Sequence, residues 1–314
     1  MTFAEDNHIL IGLLYVLLSI FILPIYIVIL IIFFKYPEYR NSAAYKIMIS
    51  IGINECLQLI AHIYSGIANL TGNNFGDEFE QFMGGFINSV WLAVVPQNLV
   101  LALNRLDVFR NKKAKWHCNG AIFLTMLILC WIYGAGFFGI YMSDNTSILY
   151  NMEGFYWEYD DGNWSETVNT IEIYTTMTFL VITFIVYLIV ILYIFLMRTS
   201  NSITMSSTKK YEFRLFIQSV ITFLVFVIDD CCWNFHPLVF PDSYWAPVAS
   251  NLIWILELGL NPLFYLFFNK TIRKQFIGIL KCESPTTTRV TILMTSTHTR
   301  AFKLVSHRDP RSCY

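Results

Sequence analysis

Seven apolar runs divide this chain, and all 21 Lys and Arg residues fall at or beyond the same alternating ends of them. A membrane-spanning helix needs about 20 mostly apolar residues. The runs are Ile9 to Phe34, Ala43 to Ala68, Phe82 to Leu103, Cys118 to Met142, Ile173 to Met197, Phe213 to Phe240 and Ala246 to Phe268. The first carries no charge and is too long for a signal-peptide core, so it reads as an uncleaved span. The second is the weakest, because it contains Lys46, Glu55 and His62. Basic residues cluster at positions 35–46, 105–115, 198–214 and 270–311. Positive residues mark the cytoplasmic side, which puts the N-terminus outside and the C-terminus inside. A false span would throw every later basic cluster onto the wrong side, so count and direction support each other. Composition agrees: 56% of residues are hydrophobic and 14% charged, against about 25% charged in a soluble domain. The net charge of -1 argues against a nucleic-acid partner, and seven cysteines are too sparse for a disulfide scaffold.

The expected fold class is therefore an all-α membrane protein. Residues 1–8 form an extracellular N-terminus, 9–268 a seven-helix bundle, 269–281 an amphipathic surface helix and 282–314 a disordered cytoplasmic tail. Glycosylation sequons at Asn69, Asn145 and Asn163 all lie in expected outer segments, while a fourth at Asn269 lies inside. The second outer loop, about Ser143 to Glu172, is acidic and aromatic. It reads either as a lid that attracts cations or covers a pocket, or as a solvated loop. No cysteine lies in an outer segment, so packing alone is expected to hold this loop. Over residues 268–281, Phe268, Ile272, Phe276 and Ile279 share one helical face opposite Lys270, Lys274 and Lys281. Such a helix lies on the inner leaflet, and Cys282 at its end is a palmitoylation candidate, or an unmodified cysteine.

The seventh span ends Asn261-Pro262-Leu263-Phe264-Tyr265. Proline frees a carbonyl and permits a bend, Asn261 can satisfy loosened backbone, and Tyr265 can swing between partners. The third span ends in Asn104-Arg105. An arginine there either snorkels as a topology anchor or acts as a latch for a cytoplasmic partner. Four acidic residues lie at membrane depth: Glu55, Glu257, Asp229 and Asp230. Asp229 and Asp230, with Trp233, His236, Trp91 and Trp254, form either a ligand cavity or interhelical packing. Gly134-Ala135-Gly136-Phe137-Phe138-Gly139 spells a dinucleotide-binding pattern, but it sits in a membrane span without the strand and turn that pattern requires. Its small residues suit close helix contact instead. No hydrolase, phosphate-loop or zinc motif appears, so an enzyme is not expected.

Together these features resemble a rhodopsin-like G protein-coupled receptor. Ala44-Tyr45-Lys46-Ile47-Met48, Trp91, Leu101 to Arg105 and Asn269 to Arg273 resemble the nematode serpentine chemoreceptors, class T first and class X next. The resemblance covers about residues 10 to 281. It implies a small-molecule ligand from outside, a heterotrimeric G protein inside, and a plasma membrane, such as that of sensory neuron cilia. It also makes Glu55 an ion-binding or coupling candidate facing Asn261; Glu257, at a similar depth, is a second such candidate. Trp131 sits in the middle of the fourth span, as in that family. The sequence departs from the pattern as well. Asn104 replaces the usual acidic neighbour of the arginine, the outer cysteine pair is missing, the fifth span lacks proline, and the sixth has Pro237 four residues after Trp233. No lysine lies in the seventh span, which excludes a retinal Schiff base; no cofactor is expected. The other reading of the intramembrane carboxylates is a transporter or ion channel, against which there is neither an internal repeat nor a pair of broken helices.

Overall fold

The computed structural model describes residues 3–110, 120–200, 207–240 and 243–281. Cys282, the tail and the His236 side chain lie outside the described residues. Hydrocarbon offers backbone groups no partner, so each apolar run closes its own hydrogen bonds as a helix. The helices are α1 (Phe3–Lys35), α2 (Pro37–Arg40), α3 (Ala43–Thr71), α4 (Asp77–Phe109) and α5 (Gly120–Tyr141). A hairpin follows, β1 (Ile148–Asn151) and β2 (Tyr156–Tyr159), then α6 (Ser165–Ser200) and α7 (Ser207–Val239). The chain continues through α8 (Trp245–Leu258), α9 (Leu260–Phe268) and α10 (Lys270–Leu280). Seven of these segments are long and apolar enough to cross a membrane, α8 and α9 counting as one.

Burial sorts the helices. The apolar windows of α3 and α4 are each 78% buried, whereas those of α5 and α6 are 28% and 33% buried. The two central helices are also the ones that carry polar residues such as Glu55, Gln58, Gln97 and Asn98, all buried. The outer helices turn Leu17, Phe21, Ile132 and Phe195 outward, as lipid-facing surfaces should.

Several boundaries differ from the sequence reading. α4 continues to Phe109, so Asn104 and Arg105 lie inside a helix rather than at its end. The fifth span begins at Ser165, so Glu172 belongs to a helix and not to the outer loop. The last span is interrupted at Gly259, three residues before the proline that was expected to bend it. At the inner surface Ile272 is fully buried, and Phe276 and Ile279 pack with α1. Phe268, placed by periodicity on that face, is 42% exposed, because the chain turns at Asn269 between α9 and α10.

The outer loop is more than a packed segment. Its strands pair antiparallel, Ile148 with Tyr159 and Asn151 with Tyr156. At the tip Phe155 takes φ 61°, a conformation that costs a side-chain-bearing residue energy, and it is fully buried. Its carbonyl accepts hydrogen bonds from Tyr15 Oη at 3.1 Å and Asn251 Nδ2 at 3.2 Å. The Tyr150 N–H donates to Glu80 Oε1 at 2.9 Å, and Asn69 Nδ2 donates to the Tyr150 hydroxyl at 2.9 Å. Polar bonds to four different helices thus take the place of the missing disulfide. They also correct the reading of Asn69, which is 2% exposed with its amide nitrogen engaged, and so is closed to a glycan in the folded protein. Asn163 is exposed and Asn145 half-buried.

Close contacts depend on particular glycines. A Cβ on Gly84 would lie 1.9 Å from the Ile148 carbonyl oxygen, where the hairpin crosses α4. One on Gly134 would lie 2.5 Å from the Ser89 carbonyl oxygen. Of the other glycines in that stretch, Gly136 and Gly139 have nothing within 4 Å, so helix contact explains only the first. Gly84→Val should therefore lower the thermal midpoint by several degrees, in line with an overpacking cost of about 1–3 kcal/mol, and Gly136→Val should leave it nearly unchanged. Thermal unfolding of both variants in lipid nanodiscs checks this; equal midpoints would contradict the packing.

Candidate functional site

Three polar layers occupy the bundle, one above another from outside to inside. The outer one is a cavity of about 270 Å3 bounded by α4, α6, α7 and α8 and roofed by the hairpin. Trp91, Asp229, Asp230, Trp233 and Trp254 all line it, so five of the six residues proposed for a pocket from sequence border one cavity, from three helices. The hairpin contributes Tyr156, Trp157, Glu158 and Tyr159, which makes it a cover. Trp233 and Trp254 meet edge to face with centroids 5.6 Å apart, and the Trp254 Nε1–H donates to Gln58 Oε1 at 2.8 Å. Trp91 stacks on Phe226 at 5.9 Å. These contacts fix ring orientations that isolated side chains would not hold.

Glu172, on α6, is the best-satisfied acid of the cavity. Its Oε2 accepts from Tyr141 Oη at 2.7 Å and Asn88 Nδ2 at 2.9 Å, and also from the Tyr159 hydroxyl. Burial first, and the Glu172 carboxylate second, hold the Tyr159 phenol well above its ordinary pKa, so it remains a donor. Burial, then Glu158, pushes Tyr156 up to about 12, and its hydroxyl donates to Glu158 Oε2 at 2.7 Å.

The middle layer centres on Glu55, which is 2% exposed. It accepts from the Tyr26 hydroxyl of α1 and from Asn261 Nδ2 of α9, the latter at 2.7 Å. Asn261 Oδ1 in turn accepts from Thr222 Oγ1 of α7 at 3.4 Å. One carboxyl thereby joins four helices, and it does so through the asparagine of the interrupted last span. Pro262 follows directly, and Tyr265 packs edge-on against Phe33 at 5.2 Å. Glu257 behaves differently. It is buried, but it makes no side-chain hydrogen bond among the described residues and does not line the cavity.

The inner layer is an ion pair. Arg105 is fully buried, and its Nη1 lies 3.4 Å from Glu212 Oε2 of α7. Its Nε and Nη2 have no partner among the described residues, nor has Asn104 Oδ1. The acidic neighbour missing at position 104 is replaced by a carboxylate more than a hundred residues away. Glu212 was not singled out from sequence, although it is the one acid among the basic residues at 198–214. Tyr26 and Asn88 were missed because an uncharged polar residue in an apolar run leaves no distinctive local signal.

A family model described as serpentine type 7TM GPCR chemoreceptor Srt matches residues 1–289. The chain belongs to this family. It is a seven-transmembrane chemosensory G protein-coupled receptor, as its resemblance to class T had implied. A search of curated proteins gave no match. Among solved structures, the crystal structure of squid rhodopsin is similar, with a TM-score of 0.73 and 12% identity over 91% of this chain and 89% of that one. At that identity the likeness concerns the fold.

In this Srt receptor the Glu55–Asn261 contact can be tested by a double-mutant cycle. Each of Glu55→Leu and Asn261→Ala removes one partner of a buried bond and should cost about 1–3 kcal/mol of stability. The double variant should fall short of the sum by at least about 0.5 kcal/mol. Thermal unfolding of the purified receptor measures all four proteins, and strict additivity would contradict the pairing.

Proposed function

We propose that a small molecule enters the outer cavity from the extracellular side and shifts α7 relative to α4, exposing Arg105 to a heterotrimeric G protein. The observation that carries this is the Arg105–Glu212 pair. A fully buried guanidinium with two nitrogens unpartnered among the described residues is expensive, and the 3.4 Å contact to Glu212 on a separate helix is its one ion pair among them. Such a pair sets a two-state balance that a few kcal/mol can move. The Glu55–Asn261–Thr222 chain supports the same reading, because it runs from the centre of the bundle to α7. The basic clusters support a plasma-membrane orientation with the N-terminus outside, and the family supports a sensory setting such as cilia. On this reading the receptor has no catalytic chemistry of its own. No observation favours transport or conduction.

The test is guanine-nucleotide exchange on G proteins in membranes holding equal amounts of each variant. Glu212→Ala should raise basal exchange about tenfold, the worth of one charge-assisted bond. Arg105→Ala should remove basal and ligand-driven exchange alike. Unchanged exchange in both variants would refute the switch.

A further inference from the structure

The outer cavity has an uneven charge balance. Four carboxylates line it, those of Glu158, Glu172, Asp229 and Asp230, while no Lys, Arg or His does so among the described residues. Every Lys and Arg of the chain lies at or beyond the opposite end of the spans, and His62, which meets Trp254 edge-on at 4.8 Å, does not line the cavity. Two of the four acids have donors of their own: Glu158 takes Asn151 and Tyr156, and Glu172 takes Asn88, Tyr141 and Tyr159. The two aspartates of α7 are less well served. Asp230 is 2% exposed; its Oδ1 accepts one hydrogen bond, from Asn234 Nδ2 at 3.3 Å, and its Oδ2 has no hydrogen-bond partner among the described residues. Asp229 is 5% exposed and makes no side-chain hydrogen bond among the described residues. A buried acceptor left unpaired beside a cavity is costly unless something in the cavity donates to it.

We propose that the ligand of this receptor is a small organic amine, protonated on its nitrogen, whose N–H groups are accepted by Asp229 and Asp230 and whose apolar body lies among Trp91, Trp233 and Trp254. The proposal rests on the cavity being the receptor's ligand site. The charge of the amine compensates the aspartates, and its N–H groups supply the donor that Asp230 Oδ2 lacks. The indole faces add cation–π attraction and an apolar surface of the kind small-molecule sites use. A metal ion fits less well, because no group of three His, Cys, Asp or Glu among the described residues is placed to hold one. A quaternary ammonium would bring charge but no N–H.

Phenethylamine, its neutral counterpart phenethyl alcohol and its anionic counterpart 3-phenylpropionate share one aromatic body and differ in charge. Thermal stabilisation of the purified receptor in nanodiscs reads their binding without a G protein. Phenethylamine should raise the midpoint in a saturable way, and the alcohol and the acid should not. Asp230→Asn, nearly isosteric, should weaken the effect at least about tenfold, and Asp144→Asn, on the exposed loop, should not alter it. If Asp230→Asn fails to fold, Asp229→Asn makes the same test. Equal stabilisation by the alcohol, no effect of the amine up to about 10 mM, or full retention in the aspartate variants would overturn the proposal. Nucleotide exchange in parallel separates the two readings. Saturable amine binding without exchange supports the amine site and counts against receptor signalling through it; exchange driven by the alcohol alone does the reverse.

Discussion

A carboxyl buried at the middle of a lipid-embedded bundle must find its partners within the protein, because hydrocarbon supplies none. Glu55 meets that constraint by gathering Tyr26, Asn261 and, through Asn261, Thr222. Much of the remaining architecture follows from keeping those groups together. α1 must lie against α3, and the last span must break near Gly259 and present its asparagine inward. α7 must approach closely enough for Thr222 to reach it. The piece of the interrupted span before Gly259 is tied to the hairpin through Asn251 and to α3 through Trp254, and the piece after it is tied to Glu55 through Asn261.

Charge is distributed around this centre in opposite ways at the two ends. Inside, cations are abundant, and the buried Arg105 takes its partner from another helix. Outside, acids are abundant and no Lys, Arg or His among the described residues lines the cavity, so phenols and amides satisfy Glu158 and Glu172 while Asp230 Oδ2 remains unpaired among the described residues. Both ends converge on α7: Asp229 and Asp230 lie in its outer half and Glu212 near its inner end. A ligand acting on the aspartates therefore acts on the same rigid helix that holds the arginine, which is what the proposed switch requires.

The seven spans were legible because lipid imposes a length and a polarity that composition alone reveals. The meeting of Glu55 with Asn261 was legible from their depth and from the family pattern. Glu212 was not, because an apolar window stops where a helix leaves the membrane, and α4 and α7 both run past that point. The hairpin escaped notice because strands of four residues amid acidic and aromatic side chains have no apolar run to mark them. The Asn69 sequon misled for a related reason: a three-residue motif carries no information about burial, which here is set by Tyr150 in a distant loop.

The central claim is that the Arg105–Glu212 contact and the Glu55 cluster jointly hold the inner ends of α4 and α7 together. Pulsed electron-resonance distances between spin labels at Val108 and Ile217, both on partly exposed positions, measure that separation in nanodiscs directly. The account predicts one short-distance population for the parent receptor without ligand, and an added longer population for Glu212→Ala and for Glu55→Leu. Distributions identical to the parent in both variants would contradict it.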